Sequence, residues 1–205
     1  AHPPDESATC TRHSTSHEVH SKLETVLAKK KKQGIVNPTL LSPFDEDKKV
    51  QVIIETPKGS RNKYAWDQDQ QLFALKKVLP EGMAFPHDFG FIPSTEAEDG
   101  DPIDVLVLMD QSVFTGCLVK ARLIGVIEGR QTEKGKSERN DRLLAVADCS
   151  HTHSNINSLN DLNKDLLKEL EKFLVNYHSN DGAEFKVLAR KGPDAALKCL
   201  KRART

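Results

Sequence analysis

Between Val50 and Ala147 the chain carries a succession of short apolar runs with no helix-period segment among them. Val50-Gln51-Val52-Ile53-Ile54-Glu55 stops before Pro57. Tyr64-Ala65-Trp66 and Leu72-Phe73-Ala74-Leu75 flank the polar stretch Asp67 to Gln71, as the arms of a short hairpin do. Ile103 to Met109, Leu118 to Glu128 and Leu143 to Ala147 follow. A parallel sheet would need helices between its strands, so this order predicts a closed or partly closed antiparallel barrel. Gly129 to Asn140 is polar and charge-rich, which predicts a long exposed hairpin loop. Helical spacing takes over only afterwards. Leu162, Leu166, Leu167, Leu170, Phe173, Leu174 and Tyr177 mark one apolar face, predicting a helix from about Leu162 to Tyr177. A last helix, with Ala196, Leu197 and Leu200, is expected to begin near Pro193 or Asp194. The expected class is mainly β with α: a barrel with packed C-terminal helices.

Residues 1–47 read as an added arm and residues 48–205 as the barrel domain. Ala1 to Ser14 is polar with little to bury and is expected to be disordered. Thr15 and Glu18 form a capping box before Val19, Leu23, Val26 and Leu27, which predicts an amphipathic helix over Ser16 to Lys30. The run Lys29 to Lys32 fits a solvated helix end, and His13, His17 and His20 read as surface histidines rather than a zinc site. Net charge is zero, which argues against nucleic acid as a partner. No apolar run reaches membrane-spanning length. Cys10, Cys117, Cys149 and Cys199 show no short spacing and read as reduced thiols in a cytoplasmic protein.

Function is concentrated in Glu98-Asp99-Gly100-Asp101-Pro102-Ile103-Asp104, set against the apolar run Val105 to Met109. Crowded carboxylates raise one another's pKa, so such a cluster beside a buried-looking strand is usually offered to a cation. In an ideal strand Asp99 and Asp101 share a face and Asp104 opposes them. Gly100 and Pro102 allow a bend that gathers all three. The spacing fails the EF-hand pattern, because the fifth and sixth positions from Asp99 are Ile103 and Asp104 and a strand follows. It also differs from the aspartyl-phosphate phosphatases, whose acids follow their hydrophobic strand. A hard-metal site at the mouth of a sheet is the expectation.

The segment Asp-Gly-Asp-Pro-Ile-Asp followed by Val-Leu-Val resembles the signature of the family I soluble inorganic pyrophosphatases. Ile54-Glu55 before Thr56-Pro57, then Lys63-Tyr64, then Phe85-Pro86-His87-Asp88-Phe89-Gly90-Phe91-Ile92 stand in that family's order, and Tyr177 is placed like a phosphate-contacting tyrosine. The likeness spans roughly Val50 to Ala203. It implies an OB-like five-stranded barrel that hydrolyses pyrophosphate to two phosphates with Mg²⁺. Paired hard cations would neutralise the substrate and activate water. On this resemblance Asp99 and Asp104 are metal ligands, Asp101 orients or deprotonates the attacking water, and Glu55 supports the metal's water. Lys63, Lys76, Arg142 and Tyr177 are phosphate-binding. Some positions depart from the family. Asn140 stands where a further metal-ligating aspartate is usual, with Asp141 adjacent as its possible substitute. Ala65 replaces a glutamate, Phe85 and Phe89 replace tyrosines, and His178 replaces a lysine. Glu128 and Glu133 are candidates for one more family acid. The resemblance implies a small-molecule substrate and a possible homo-oligomer. A non-catalytic binding module, or a hydrolase of another phosphoanhydride, is the alternative.

Overall fold

The structure is a computed structural model that describes residues 37–203. The expected helix over Ser16 to Lys30 and the polar stretch before it lie outside the described residues. Nine strands form among the described residues: β1 (Val50–Thr56), β2 (Asn62–Asp67), β3 (Leu72–Val78), β4 (Asp88–Phe91), β5 (Asp104–Leu108), β6 (Leu118–Glu133), β7 (Lys136–Arg139), β8 (Arg142–Ala147) and β9 (Glu184–Lys191). Helix α1 spans Lys164–Ser179 and helix α2 Pro193–Arg202. The two helices start close to the expected positions. Asn163 caps α1 by accepting the Asp165 N–H at 2.7 Å, and Pro193 opens α2 where its missing N–H carries no penalty.

Strands β1, β4, β5, β8 and β6 close into a ring, since β6 pairs back onto β1. This is the expected five-stranded closed sheet with one difference: β5 and β8 run parallel, with Val105 opposite Leu143 and Leu108 opposite Val146. The other neighbours in the ring are antiparallel. Both faces of β5 and β8 are covered, which is why their sequences are solidly apolar rather than alternating. Val105 and Val107 join Leu143, Ala145 and α2 residues Ala196 and Leu200 in one cluster. Leu106 and Leu108 join Leu144, Val146 and α1 residues Leu167, Leu170 and Leu174 in the other.

Two stretches differ from the sequence expectation. Residues 129–140 are not a long loop. Strand β6 runs on to Glu133, turns tightly at Lys134-Gly135 and returns as β7, with Glu133 opposite Lys136. Both turn residues have positive φ, 48° and 82°, the geometry of the two-residue turn that matches strand twist. Strand β9 pairs along the distal half of β6, from Val126 to Thr132. These segments are polar on their open faces, so no apolar period announces them. Residues 37–47 make contact with β1: Phe44 bridges Val50, and Gln51 N–H donates to the Pro43 carbonyl at 2.9 Å. The compact unit accordingly begins at Asn37.

Candidate active site

Alternation along the strands decides which polar side chains meet. Asp104 and Arg142 begin the parallel strands β5 and β8 one position before the paired Val105 and Leu143, so they stand side by side on the α1 face. Arg142 Nη1 lies 3.0 Å from Asp104 Oδ2. Asn140, two residues before Arg142, shares that face and accepts a hydrogen bond from the same Nη1. Asn140 Nδ2 donates to Gln131 Oε1 on β6 at 2.6 Å. Asp141 points the other way. Its Oδ1 accepts from Gly129 N–H at 3.0 Å and Arg139 Nε at 2.6 Å, and its Oδ2 lies 3.9 Å from Cys199 Sγ on α2.

The acids of the central motif occupy the connection between β4 and β5. Ile92 N–H donates to the Ile103 carbonyl at 3.0 Å, and Ala97 N–H to the Asp101 carbonyl at 2.7 Å. Gly100 adopts φ +85°, a left-handed conformation that glycine takes without strain. Asp99 Oδ1 accepts from Asp101 N–H at 3.2 Å. Asp99 and Asp101 make no ion pair among the described residues. Partial burial raises both carboxyls above the ordinary aspartate value, and the neighbouring Asp104 charge adds to the effect.

Glu55, one residue before the end of β1, has both oxygens committed. Lys63 Nζ stands 2.7 Å from Oε2, and Trp66 N–H donates to Oε1 at 2.9 Å. Burial pushes this carboxyl up, and the Lys63 ammonium opposes the rise. The same Lys63 Nζ lies 4.3 Å above the Phe89 ring centroid, so an apolar face stands where the resemblance places a hydroxyl. Tyr177, near the end of α1, is packed against Phe85 and Phe173 at 5.6 and 5.8 Å. Burial raises its phenol well above the usual value, which keeps it a hydrogen-bond donor. His178 beside it is buried, stacks on Phe185 at 4.7 Å, and is pushed down to about 3 by burial and by the Arg142 charge.

These side chains share one cleft of about 690 Å³. Glu55, Lys63, Asp99, Asp101, Asp104, Asn140, Arg142 and Tyr177 all line it, as do Ala65, Phe89 and Gln131. Two candidates do not. Asp141 faces α2, as described above. Lys76 instead reaches Asp67, Nζ to Oδ2 3.0 Å. The register explains this: a bulge between Lys63 and Tyr64 sets Lys63 opposite Lys77 and leaves Lys76 out of the pairing. Directly opposed residues share a face, so Lys77 and not Lys76 turns toward the site. Its Nζ lies 3.8 Å from the Tyr177 ring centroid and pairs with Asp181, a residue that lines the cleft. Of the two candidates for a further acid, Glu133 lies on the β6–β7 rim of the cleft and Glu128 pairs with Arg139 at 3.0 Å. Gln131, which sequence reasoning passed over, is the cleft-facing residue between them.

The donor set fits a hard divalent cation at one end only. Among the described residues Asp99 and Asp101 form no ion pair, and Asp104 has one oxygen, Oδ1, beyond its contact with Arg142. Among the described residues no three acids, histidines or cysteines stand ready-grouped around one point, and Asp104 and Glu55 are paired with Arg142 and Lys63. At the other end Asn140 and Gln131 supply amides.

A family model described as inorganic pyrophosphatase matches residues 52–205. An inorganic pyrophosphatase from Synechocystis sp. is 39% identical over 148 residues, which is 72% of this chain and 85% of that protein. Another, from Halalkalibacterium halodurans, is 36% identical over 158 residues, 76% of this chain and 93% of that protein. The crystal structure of the inorganic pyrophosphatase from Thermus thermophilus superposes with a TM-score of 0.75 at 30% identity, covering 82% of this chain and 97% of that one. Matched along nearly the whole closed sheet, its acidic connection and both C-terminal helices, the chain belongs to the inorganic pyrophosphatase family.

Proposed function

We propose that this chain hydrolyses inorganic pyrophosphate to two phosphates by direct attack of water, with Mg²⁺ as cofactor. The observation that carries the reading is one cleft in which Asp99 and Asp101, carboxylates that form no ion pair among the described residues, share the walls with the cations Lys63 and Arg142 and the phenol of Tyr177. Asp99 and Asp104 would hold Mg²⁺, which supplies charge neutralisation of the phosphate oxygens and a lowered water pKa. Asp101 is the proton acceptor: its carboxyl is raised by burial and by Asp104, which brings its basicity closer to that of a useful general base.

Lys63 and Arg142 orient the phosphate groups. Lys63 is fixed by Glu55 and the Phe89 face, and Arg142 by Asp104 and Asn140. The proton leaves water for Asp101 as the P–O bond to the leaving phosphate breaks. Tyr177 donates to a phosphate oxygen from a phenol that burial keeps protonated. No helix among the described residues is long and apolar enough to cross a membrane. The test is phosphate release from pyrophosphate with and without Mg²⁺, in wild type and Asp101→Asn. Positioned proton transfer contributes about 10² to 10⁴ in rate, so the variant should lose activity on that scale while keeping its fold. Wild type that releases no phosphate in Mg²⁺ would sink the reading.

A further inference from the structure

Arg142 is a cation enclosed by the cleft. Its side chain is 7% exposed, with Nη1 3.0 Å from Asp104 Oδ2. The same Nη1 donates to Asn140 Oδ1 and, at 3.2 Å, to the Asp141 carbonyl. Asn140 donates onward to Gln131 Oε1 at 2.6 Å, so each of the two amide oxygens already accepts a hydrogen bond. Hard divalent cations select carboxylate oxygens, whereas this end of the cleft presents neutral amides and a fixed positive charge. A metal placed among Asp104, Asn140 and Gln131 would lie within a few ångströms of the guanidinium, where like charges repel strongly in a partly dry site. It would also break the Arg142–Asn140–Gln131 chain. Arginine cannot shed a proton to make room.

We propose that Arg142, held by Asn140 and Gln131, is a built-in cation that stands in place of a divalent metal at this end of the cleft, leaving metal to bind only along Asp99, Asp101 and Asp104. The inference rests on the pyrophosphatase reading. It also assigns Asn140 and Gln131 as positioning residues for the guanidinium rather than as ligands. A guanidinium presents planar donors that match phosphate oxygens. Arg142 Nε is buried with no hydrogen-bond partner among the described residues, so the contacts with Asp104 and Asn140 do not use every donor of the group.

The test counts cations. Mn²⁺ binding, read by equilibrium dialysis and electron paramagnetic resonance without substrate, is measured on wild type, Asn140→Ala, and Asn140→Asp combined with Gln131→Glu. Wild type and Asn140→Ala should bind the same number of cations with the same affinity, and the double variant should bind an additional one. A cation lost or weakened in Asn140→Ala overturns the proposal, because the amide would then be a ligand. So does a folded double variant that gains none. The alanine comparison stands even where the double variant fails to fold. Phosphate release by wild type, assayed on the same preparation, separates the two readings: an active wild type with a cation at Asn140 defeats this inference alone.

Discussion

Replacing Lys63 by methionine tests how the cleft floor is held together. Lys63 and Glu55 pair at 2.7 Å, with side chains 12% and 9% exposed. Methionine keeps the length and loses the charge, leaving a buried carboxylate with only the Trp66 N–H bond. Removing one partner of a buried pair costs about 3–5 kcal/mol, and the retained hydrogen bond puts this case at about 3 kcal/mol. The carboxyl can escape part of the loss by taking up a proton. Burial already raises Glu55 above its ordinary 4.5, and Lys63 is the chief influence opposing that rise. The variant's folded pKa therefore stands higher still. A group whose folded pKa is raised contributes its stability fully below the unfolded value, and loses it as pH climbs through the folded value. The deficit against wild type should thus be small near about pH 5 and grow by up to ~1.4 kcal/mol per pH unit. It should level off at about 3 kcal/mol once Glu55 is ionised. Urea unfolding at several pH values in chelator measures it. Adding Glu55→Gln to the variant should recover most of the loss at about pH 8. A deficit that is the same at low and high pH, or a double variant no more stable than the single one, would refute the reasoning.

Three further outcomes are expected. Lys77→Ala should raise KM for pyrophosphate by about fivefold, on the scale of a partly desolvated cation–π contact, while Lys76→Ala changes it less than about twofold because its exposed pair with Asp67 is weak; steady-state kinetics on both variants decides between them. His87 and His178 are held down to about 4 and about 3, in each case mainly by burial. The unfolded chain binds more protons than the folded one below 6.5, so stability should fall as pH drops from there. The slope should be up to ~1.4 kcal/mol per unit for each histidine, and His178→Phe should flatten a plot of Tm against pH. Gly90→Ala should cost about 3 kcal/mol or more in chemical denaturation, because a Cβ there would stand 1.9 Å from the Ile53 carbonyl oxygen; a variant as stable as wild type would show that β1 and β4 can separate freely.

What the sequence made legible follows burial. Val105 to Leu108 and Leu143 to Val146 are apolar because both faces are covered, and the α1 stripe keeps helical spacing because one face is. Residues 129–140 and 184–191 carry strands whose open faces are charged, such as Lys136, Glu138 and Lys186, so hydrophobic period could not reveal them. The acidic motif was readable because carboxylates so placed have few structural uses. Lys76 was misplaced for a different reason: a bulge shifts register by one residue without leaving a mark in composition. Gln131 escaped notice because an amide on a strand looks like an ordinary surface residue until its partner, Asn140, is seen across the sheet.

The same alternation explains why Asp141 does not make good the charge that Asn140 lacks. Asn140 and Arg142 share the cleft face, so Asp141 between them must face α2. There its carboxylate caps the Gly129 N–H and pairs with Arg139, and the Cys199 thiol beside it is pushed up by burial and by the Asp141 charge. Rotating it into the cleft would leave that N–H and the Arg139 charge without their partner, at a cost of about 1–3 kcal/mol for a buried donor alone. It would also turn Arg142 out of the cleft, since one step of register moves every side chain on β8 to the opposite face. The apolar residues Leu143 to Ala147, buried on both sides, are sized for their present faces: Leu144 and Val146 toward α1, Ala145 and Ala147 toward α2. The fold therefore holds Asn140 in the cleft and compensates Asp104 with arginine.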